Sequence, residues 1–345
     1  MLHKSLLVLS LALLCLASIF SVFQALAHAP LSPGPNESLE TATLVPNPSK
    51  SWVIYGELHE GAEAQYYYFN ITKGARIFIS LLKSTEPSEA EFVPSFVLMG
   101  PNITSQGTAP SYVNVTSSYG SVVVNGVQPS QAMYEPFSPS SLYQVAEKDM
   151  ISPESGKYYI AVFEPTKGGH YSLAVGYVEE FTLNEWILIP FNLIAIYQWE
   201  GQSILQILAP LAATLIIGLA FMAWRRKTRG DFNTLFGWFA GLAGLLFIGT
   251  GLMTLLQMII SVAGASLGFE VSVTLVFALI PVLLGIAALR ISLKTQQVTF
   301  RTRVCLAIIG IAALFIWAGL IIGPILAIIG YLLPPYSTPT EPNRS

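Results

Sequence analysis

Residues 185–203 read EWILIPFNLIAIYQWEGQS, an apolar stretch that could either span a membrane or lie on its surface. If it spans, every later loop lies on the opposite side of the membrane. A helix from Trp186 to Trp199 would be about 21 Å long at 1.5 Å per residue, which is shorter than the roughly 30 Å of hydrocarbon in a bilayer. Pro190 and Asn192 weaken such a helix further. The stretch is therefore predicted to lie at the membrane interface or to re-enter the membrane, and not to span it.

The composition of the chain is that of a membrane protein. Of its 345 residues, 53% are hydrophobic and only 11% are charged, and the mean hydropathy is +0.58. The apolar residues are concentrated in residues 203–333, whereas residues 30–180 are rich in Ser, Thr, Pro, Asn and Tyr. A net charge of −3 provides no basic surface for nucleic acid, so nucleic acid is not expected as a partner. The two cysteines, Cys15 and Cys305, both lie in apolar runs and say nothing about a redox compartment.

Residues 1–27 have the pattern of a secretory signal peptide. A basic start at Lys4 precedes an apolar core over residues 6–23, and Ala25-Leu26-Ala27 fits a cleavage site. An uncleaved signal anchor is the alternative. Either interpretation places the following Pro/Ser-rich linker, residues 28–50, outside the cytoplasm.

The sequence contains N-x-[ST] triplets in the two segments that are predicted to lie outside. Each triplet is a weak signal alone, but four of them fall within one polar segment. The candidate glycosylation sites are Asn36, Asn70, Asn102, Asn114 and Asn343.

Residues 51–180 have the pattern of a β protein. Short runs rich in β-branched and aromatic residues, such as WVIYGEL at 52–58 and KYYIAVF at 157–163, are separated by turn formers such as those at 167–169. Such runs predict about seven strands in an extracytoplasmic antiparallel β-sandwich. Residues 129–153 interrupt this rhythm and are predicted to form a long loop.

Three of these runs carry a resemblance to a known family. They are YYYFNITKGARIFISLL at 66–82, SFVLMGP at 95–101 and SGKYYIAVFEPTKGGHYSLAVGY at 155–177. Together they resemble the bacterial pre-peptidase C-terminal domain and similar jelly-roll-like secreted modules. The resemblance implies an accessory or binding module outside the cell membrane, without catalysis of its own.

The last part of the chain, residues 204–333, is predicted to be a bundle of four transmembrane helices. The segments 204–224, 235–262, 271–289 and 304–333 are each long enough to span the hydrocarbon, and the second and fourth need tilt or protrude. The loops after the first and third segments are basic, whereas residues 263–270 contain no Lys or Arg. The basic residues are Arg225, Arg226, Lys227, Arg229, Arg290, Lys294, Arg301 and Arg303.

The positive-inside rule places both basic loops in the cytoplasm. The β domain, residues 263–270 and the tail 334–345 then lie outside the cell membrane. An even number of spans after residue 203 agrees with three expectations together: the β domain is exported, the basic loops are cytoplasmic and the Asn343 triplet is outside.

In the junction, residues 181–203, the aromatic residues Trp186, Tyr197 and Trp199 are predicted at headgroup depth. A hydrophobic strap that packs the β domain onto the bundle is the alternative.

The span interiors contain no Asp, Glu, Lys, Arg or His, which disfavours a pump, a carrier or an intramembrane enzyme. Two glycine pairs are predicted to permit close helix packing, within the bundle or between copies. These pairs are Gly237 with Gly241 and Gly319 with Gly323. Polar residues at helical spacing are expected to join helices by hydrogen bonds and not to line a pathway. They are Thr250, Thr254, Gln257 and Ser261.

In the β domain, His59 lies among Glu57, Glu60 and Glu63, a pattern that a solvated acidic turn explains better than a metal site. No catalytic, cofactor or metal residue is therefore predicted. The sequence predicts a non-enzymatic, multi-pass cell-surface protein whose partners are the lipid bilayer and a protein, glycan or envelope component. The alternative is a structural or regulatory subunit of a membrane complex or a channel-like assembly.

Overall fold

The computed structural model describes residues 28–230, 232, 234–266, 268–293 and 298–333. The chain forms two compact units. Unit 1 runs to Trp186 and includes Gly264–Ser266, and unit 2 comprises Ile187–Ala263 and the residues from Leu267 onward. The predicted signal peptide, the tail 334–345, Cys15 and Lys294 lie outside the described residues.

Unit 1 is built from two β-sheets. Its strands are β1 (Ala29–Pro30), β2 (Thr43–Leu44), β3 (Trp52–Leu58), β4 (Glu63–Ile71), β5 (Arg76–Ser84), β6 (Ser95–Gly100), β7 (Gly120–Val124), β8 (Met133–Glu135), β9 (Ser140–Ile151), β10 (Gly156–Glu164) and β11 (Gly169–Val175). Sheet A has the order β1-β3-β11-β5-β9-β8 and sheet B has the order β2-β4-β10-β6-β7. The long strands pair antiparallel, and both sheets contribute side chains to one shared core.

The strands of sheet B are almost continuously apolar in sequence, and strand β10 shows the reason. Tyr158, Ile160 and Val162 point into the core between the sheets, as their alternation predicts. Ala161 and Phe163 point the other way, into a second cluster that the long β6–β7 connection covers. Strand β10 is therefore buried on both faces over residues 160–163.

The predicted long loop at 129–153 is wrong, because most of that stretch forms strands β8 and β9. Strand β9 pairs along its length with β5, and a bulge lies opposite the step from Leu81 to Leu82. Its inner residues Val145 and Ala146 are buried, whereas its outer end carries the charged run 147–149. The charges hide the apolar alternation, and pairing with β5 overrides the weak local preference for a strand.

Unit 2 is helical. Its helices are α1 (Leu183–Trp199), whose first turn belongs to unit 1, α2 (Ile204–Arg229), α3 (Leu235–Gly264), α4 (Glu270–Leu293), α5 (Phe300–Phe315) and α6 (Ile322–Leu332). Among the described residues, α2, α3 and α4 are the three helices long and apolar enough to cross a membrane. The chain is thus a β-sheet region followed by helices, as expected of a membrane protein.

Helices α3 and α4 pack backbone to backbone in antiparallel directions. A Cβ atom added to Gly244 would lie 2.8 Å from the carbonyl oxygen of Gly285, and one added to Gly251 would lie 2.6 Å from that of Ala278. Such contacts leave no room for a side chain, so glycine is required for this helix spacing.

The fourth predicted span, 304–333, is not one helix. Helix α5 ends at Phe315, α6 begins at Ile322, and residues 316–321 form a turn between them. Four residues of this turn have positive φ: Trp317, Gly319, Leu320 and Ile321. Hydropathy alone could not locate this break, because the turn is as apolar as the helices.

The buried Lys83 gives a test of the β fold. Its side chain is 1% exposed, and its Nζ donates to the carbonyl oxygens of Glu89, Ala90 and Phe92 at 2.8, 3.2 and 2.6 Å. We expect Lys83→Met to destabilise the protein by about 1–3 kcal/mol, because three carbonyl groups lose their donor. Thermal unfolding of the full chain in mild detergent, followed by circular dichroism, measures the effect. The exposed Lys73→Met is the control, and equal stability of the two variants would contradict the prediction.

Candidate functional site

Unit 1 contains a buried ion pair at the start of α1. Lys50 is 5% exposed, and its Nζ donates to both carboxylate oxygens of Glu185 at 2.8 Å. The same ammonium group lies 4.2 Å from the centre of the Trp52 ring. Burial acts to raise the pKa of Glu185, but hydrogen bonds from Lys50 and Thr182 outweigh it and lower that pKa. Glu185 is therefore a carboxylate at neutral pH.

The carboxylate of Glu185 also caps the start of α1. The Thr182 backbone N–H donates to it at 2.7 Å, and the Glu185 N–H donates to the Thr182 hydroxyl at 3.3 Å. This Thr-x-x-Glu arrangement is a capping box. We name the contact of Lys50, Thr182 and Glu185 the latch. The capping box is visible in the sequence, whereas its partner Lys50 lies 135 residues earlier and has no local signal.

Helix α1 has a partly buried apolar face. It continues through Pro190, and Ile189, Pro190 and Ile196 are buried. At 1.5 Å per residue it is about 26 Å long, which is again shorter than the hydrocarbon thickness. The prediction that this segment lies at the interface or re-enters the membrane stays a prediction.

The C-terminal end of α1 packs inside unit 2. Tyr197 is 2% exposed and forms a cluster with Ile207 and Met253, against which Leu193 of α1 and Leu320 of the α5–α6 turn pack. The ring of Tyr197 thus contacts protein, and its predicted position at headgroup depth stays a prediction. Trp186 and Trp199, predicted at the same depth, are half-buried.

The polar residues of α3 make hydrogen bonds inside the bundle. Gln257 and Gln202 exchange two amide hydrogen bonds of 2.8 and 2.9 Å. Thr250 donates to carbonyl groups of its own helix and accepts from the Gly319 N–H at 2.9 Å. Thr254 donates to the Thr250 carbonyl, and Ser261 is buried. These contacts join helices and turns.

The four predicted packing glycines all lie at contacts within unit 2. The Gly237 carbonyl accepts from the Ser292 hydroxyl at 2.6 Å, and a Cβ on Gly241 would lie 2.5 Å from Met222. Gly319 and Gly323 both lie against the ring of Phe247.

The acceptor asparagines differ in exposure. Asn70, Asn102 and Asn114 are exposed, so a glycan has room at each. Asn36 is 4% exposed, and its buried side chain leaves no room for a glycan in the folded domain. Asn343 lies outside the described residues.

The basic residues lie near helix ends. Arg226, Lys227 and Arg229 are in the last turn of α2, where cations interact favourably with the helix dipole, and Arg225 precedes them. Arg290 is in the last turn of α4, and Arg301 is exposed at the start of α5. Arg303 has a structural partner, since its Nε donates to the Tyr331 carbonyl at 2.8 Å.

A histidine that sequence analysis did not select joins two carboxylates in unit 1. His170 Nδ1 is 2.5 Å from Glu89, and its Nε2 is 3.6 Å from Glu57. His59 instead lies 3.5 Å from Glu63 in an exposed turn. Among the described residues, no group of three or more His, Cys, Asp or Glu side chains is arranged to hold a metal ion.

Sheet B presents aromatic rings beside a cation. Tyr68 and Tyr159 are cross-strand partners with ring centroids 6.0 Å apart, and Tyr119 lies 6.3 Å from Tyr159. The Lys157 ammonium is 4.4 Å from the centre of the Tyr68 ring. All four side chains are half-buried, which fixes their positions and leaves part of each accessible. We name these four residues the tyrosine–lysine surface.

Comparison with known proteins shows a weak likeness of the β part alone. No family model matches the chain, and no curated protein matches it. The pre-peptidase C-terminal domain of a collagenase from Bacillus anthracis matches 38% of this chain and 91% of its own length, with 21% identity and a TM-score of 0.24. The secreted copper-binding protein MopE of Methylococcus capsulatus matches 32% of this chain and 69% of its own, with 14% identity and a TM-score of 0.17.

The latch gives a prediction about α1. We expect Lys50→Met to speed amide exchange at Trp186, whose N–H bonds the Thr182 carbonyl at 2.9 Å, because the Glu185 cap loses its anchor. Losing hydrogen bonds between charged groups costs about 1.5–3 kcal/mol, so protection falls by about ten-fold or more. Hydrogen exchange with mass spectrometry measures this. Lys167→Met, which breaks the exposed pair with Glu91, is the control, and unchanged exchange in Lys50→Met would refute the role of the latch.

His170 gives a prediction about pH. The Glu89 carboxylate, which accepts a hydrogen bond from the His170 ring, raises the pKa of His170. The resulting stabilisation is complete below the ordinary histidine pKa of about 6.5 and is lost as the pH rises through the raised value. The stability difference between wild type and His170→Gln should therefore shrink as the pH rises from about 6.5 into the alkaline range. Melting curves across this range test it with His59→Gln as the control, and a constant difference would contradict it.

Proposed function

We propose that this is a non-enzymatic cell-surface membrane protein whose outer β domain binds a partner protein, glycan or envelope component. The tyrosine–lysine surface is the observation that carries the proposal. Aromatic rings combine a large apolar area with few rotatable bonds and lose little entropy on binding. Lys157 adds a positive charge to the same surface.

The outer position of the β domain is part of the proposal. The signal-like N-terminus and the basic residues that follow α2 and α4 support it. Further support comes from Gly264–Ser266, the end of α3 and the start of its following loop, which belong to unit 1. The Ser266 N–H donates to the Ala132 carbonyl at 3.2 Å. A crossing by α2 and a return by α3 bring the chain back to the side of the β domain.

The alternative function is that of a regulatory subunit in a membrane complex, and one observation favours it specifically. Helix α1 is held by the latch at its first turn and by the Tyr197 cluster at its last turns. That cluster includes Leu320 of the α5–α6 turn. The single helix α1 therefore has its first turn in unit 1 and its remaining residues in unit 2.

Binding to cell envelopes tests the main proposal. We expect the full chain in mild detergent to co-sediment with membranes and wall polymers of the source cell. The double variant Tyr68→Ser, Tyr159→Ser should bind about 30-fold more weakly, because central aromatic residues of an interface contribute about 2 kcal/mol or more. Tyr55→Ser, a half-buried tyrosine of sheet A, is the control.

The outcomes separate the two functions. Equal binding by wild type and the double variant would refute the tyrosine–lysine surface as the binding site. Recovery of the same membrane subunits by both proteins in a pull-down with mass spectrometry would favour the regulatory alternative.

A further inference from the structure

We infer that α5 and α6 form a re-entrant hairpin, which enters the membrane from the side of the basic loops and returns to that side. The last described residues therefore leave the membrane on the cytoplasmic face, an assignment of side that rests on the proposed function. The predicted fourth span is replaced by a helical hairpin that reaches about halfway into the bundle.

Neither helix of the hairpin is long enough to span a bilayer. At 1.5 Å per residue, α5 is about 24 Å long and α6 about 17 Å, whereas the hydrocarbon is about 30 Å thick. The turn between them cannot continue the helix, because Leu320 and Ile321 have φ of +53° and +68°.

Contacts between the two helices show that they run antiparallel. A Cβ atom on Gly310 would lie 2.9 Å from that of Ala327, and one on Gly330 would lie 2.9 Å from Leu306. At the open end, Arg303 Nε is 2.8 Å from the Tyr331 carbonyl oxygen. In one continuous helix these last two residues would be about 42 Å apart.

The hairpin lies along the first half of α3. Its open end is near the start of that helix, since a Cβ on Gly330 would lie 3.4 Å from Cβ of Phe239. Its tip reaches the middle, where the Gly319 N–H donates to the Thr250 hydroxyl at 2.9 Å. The start of α3 follows the basic residues at the end of α2, so the open end of the hairpin lies at the same end of the bundle.

The turn meets the conditions for non-helical backbone at membrane depth. Such backbone is tolerated only where protein buries it and satisfies its hydrogen bonds. Ile316 and Ala318 are buried, and the Ile321 carbonyl accepts from Ile325. Phe247 fills the space left by Gly319 and Gly323, where a Cβ would lie 2.9 and 2.5 Å from its ring.

The hairpin changes the side expected for the end of the chain. With α2, α3 and α4 as spans, both basic regions remain cytoplasmic. Arg301 and Arg303 lie at the start of the hairpin, where it leaves the cytoplasm. The expectation that Asn343 lies outside required a fourth crossing, and the labelling experiment described below decides between that expectation and the hairpin.

A disulfide cross-link tests the hairpin itself. In full-length protein with Cys15→Ser and Cys305→Ser, the pair Leu306→Cys, Gly330→Cys should form an intramolecular disulfide on mild oxidation in membranes. A single helix would hold these positions about 36 Å apart and prevent the bond. The pair Gly310→Cys, Ala327→Cys is a second variant in case the first does not fold. Failure of both pairs to cross-link in folded protein would overturn the hairpin.

Labelling of single cysteines in intact cells tests on which side of the membrane the open end of the hairpin lies. In the same background, Ser337→Cys should resist a membrane-impermeant maleimide until the cells are opened, as Lys227→Cys should, whereas Ser266→Cys should react at once. Reaction of Ser337→Cys in intact cells would overturn the inference alone. Exchanged behaviour of Lys227→Cys and Ser266→Cys would instead refute the proposed orientation, and the two failures are thus distinguishable.

Discussion

Backbone N–H and C=O groups that leave water must find hydrogen-bond partners, and this constraint shapes both units of the protein. In the helical unit it restricts the apolar sequence to helices, except at the α5–α6 turn, where the Thr250 hydroxyl accepts from the Gly319 amide. In the β unit, Lys83 enters the interior and binds three carbonyl groups of the segment 89–92. At these two sites a polar side chain therefore satisfies backbone groups that lie outside regular structure.

The junction helix follows the same constraint at its start and packing constraints at its end. The Glu185 carboxylate accepts from the Thr182 backbone N–H, and the charge of Lys50 neutralises it. Tyr197 is buried with Ile207 and Met253 at the last turns.

The differences between expectation and structure have two distinct origins. Strand β9 is hidden because its outer face carries charge, so the alternation that identifies other strands is weak there. The break at 316–321 is hidden for the opposite reason, since turn and helices are equally apolar and hydropathy cannot separate them. Only the capping box of the latch is recognisable in the sequence, because Thr182 and Glu185 are three residues apart. Its partner Lys50 is distant in sequence and could not be predicted.

The sequence by itself determined the properties that depend on local composition. Hydrophobic length identifies α2, α3 and α4 as helices long enough to cross a membrane, and alternation identifies the inner face of β10, because both signals lie within one element. The tertiary structure alone decided the partner of Lys50, the pairing of β9 and the reversal of the chain between α5 and α6. Each of these depends on residues that only the fold brings together, such as Thr250 and Gly319, which are 69 positions apart.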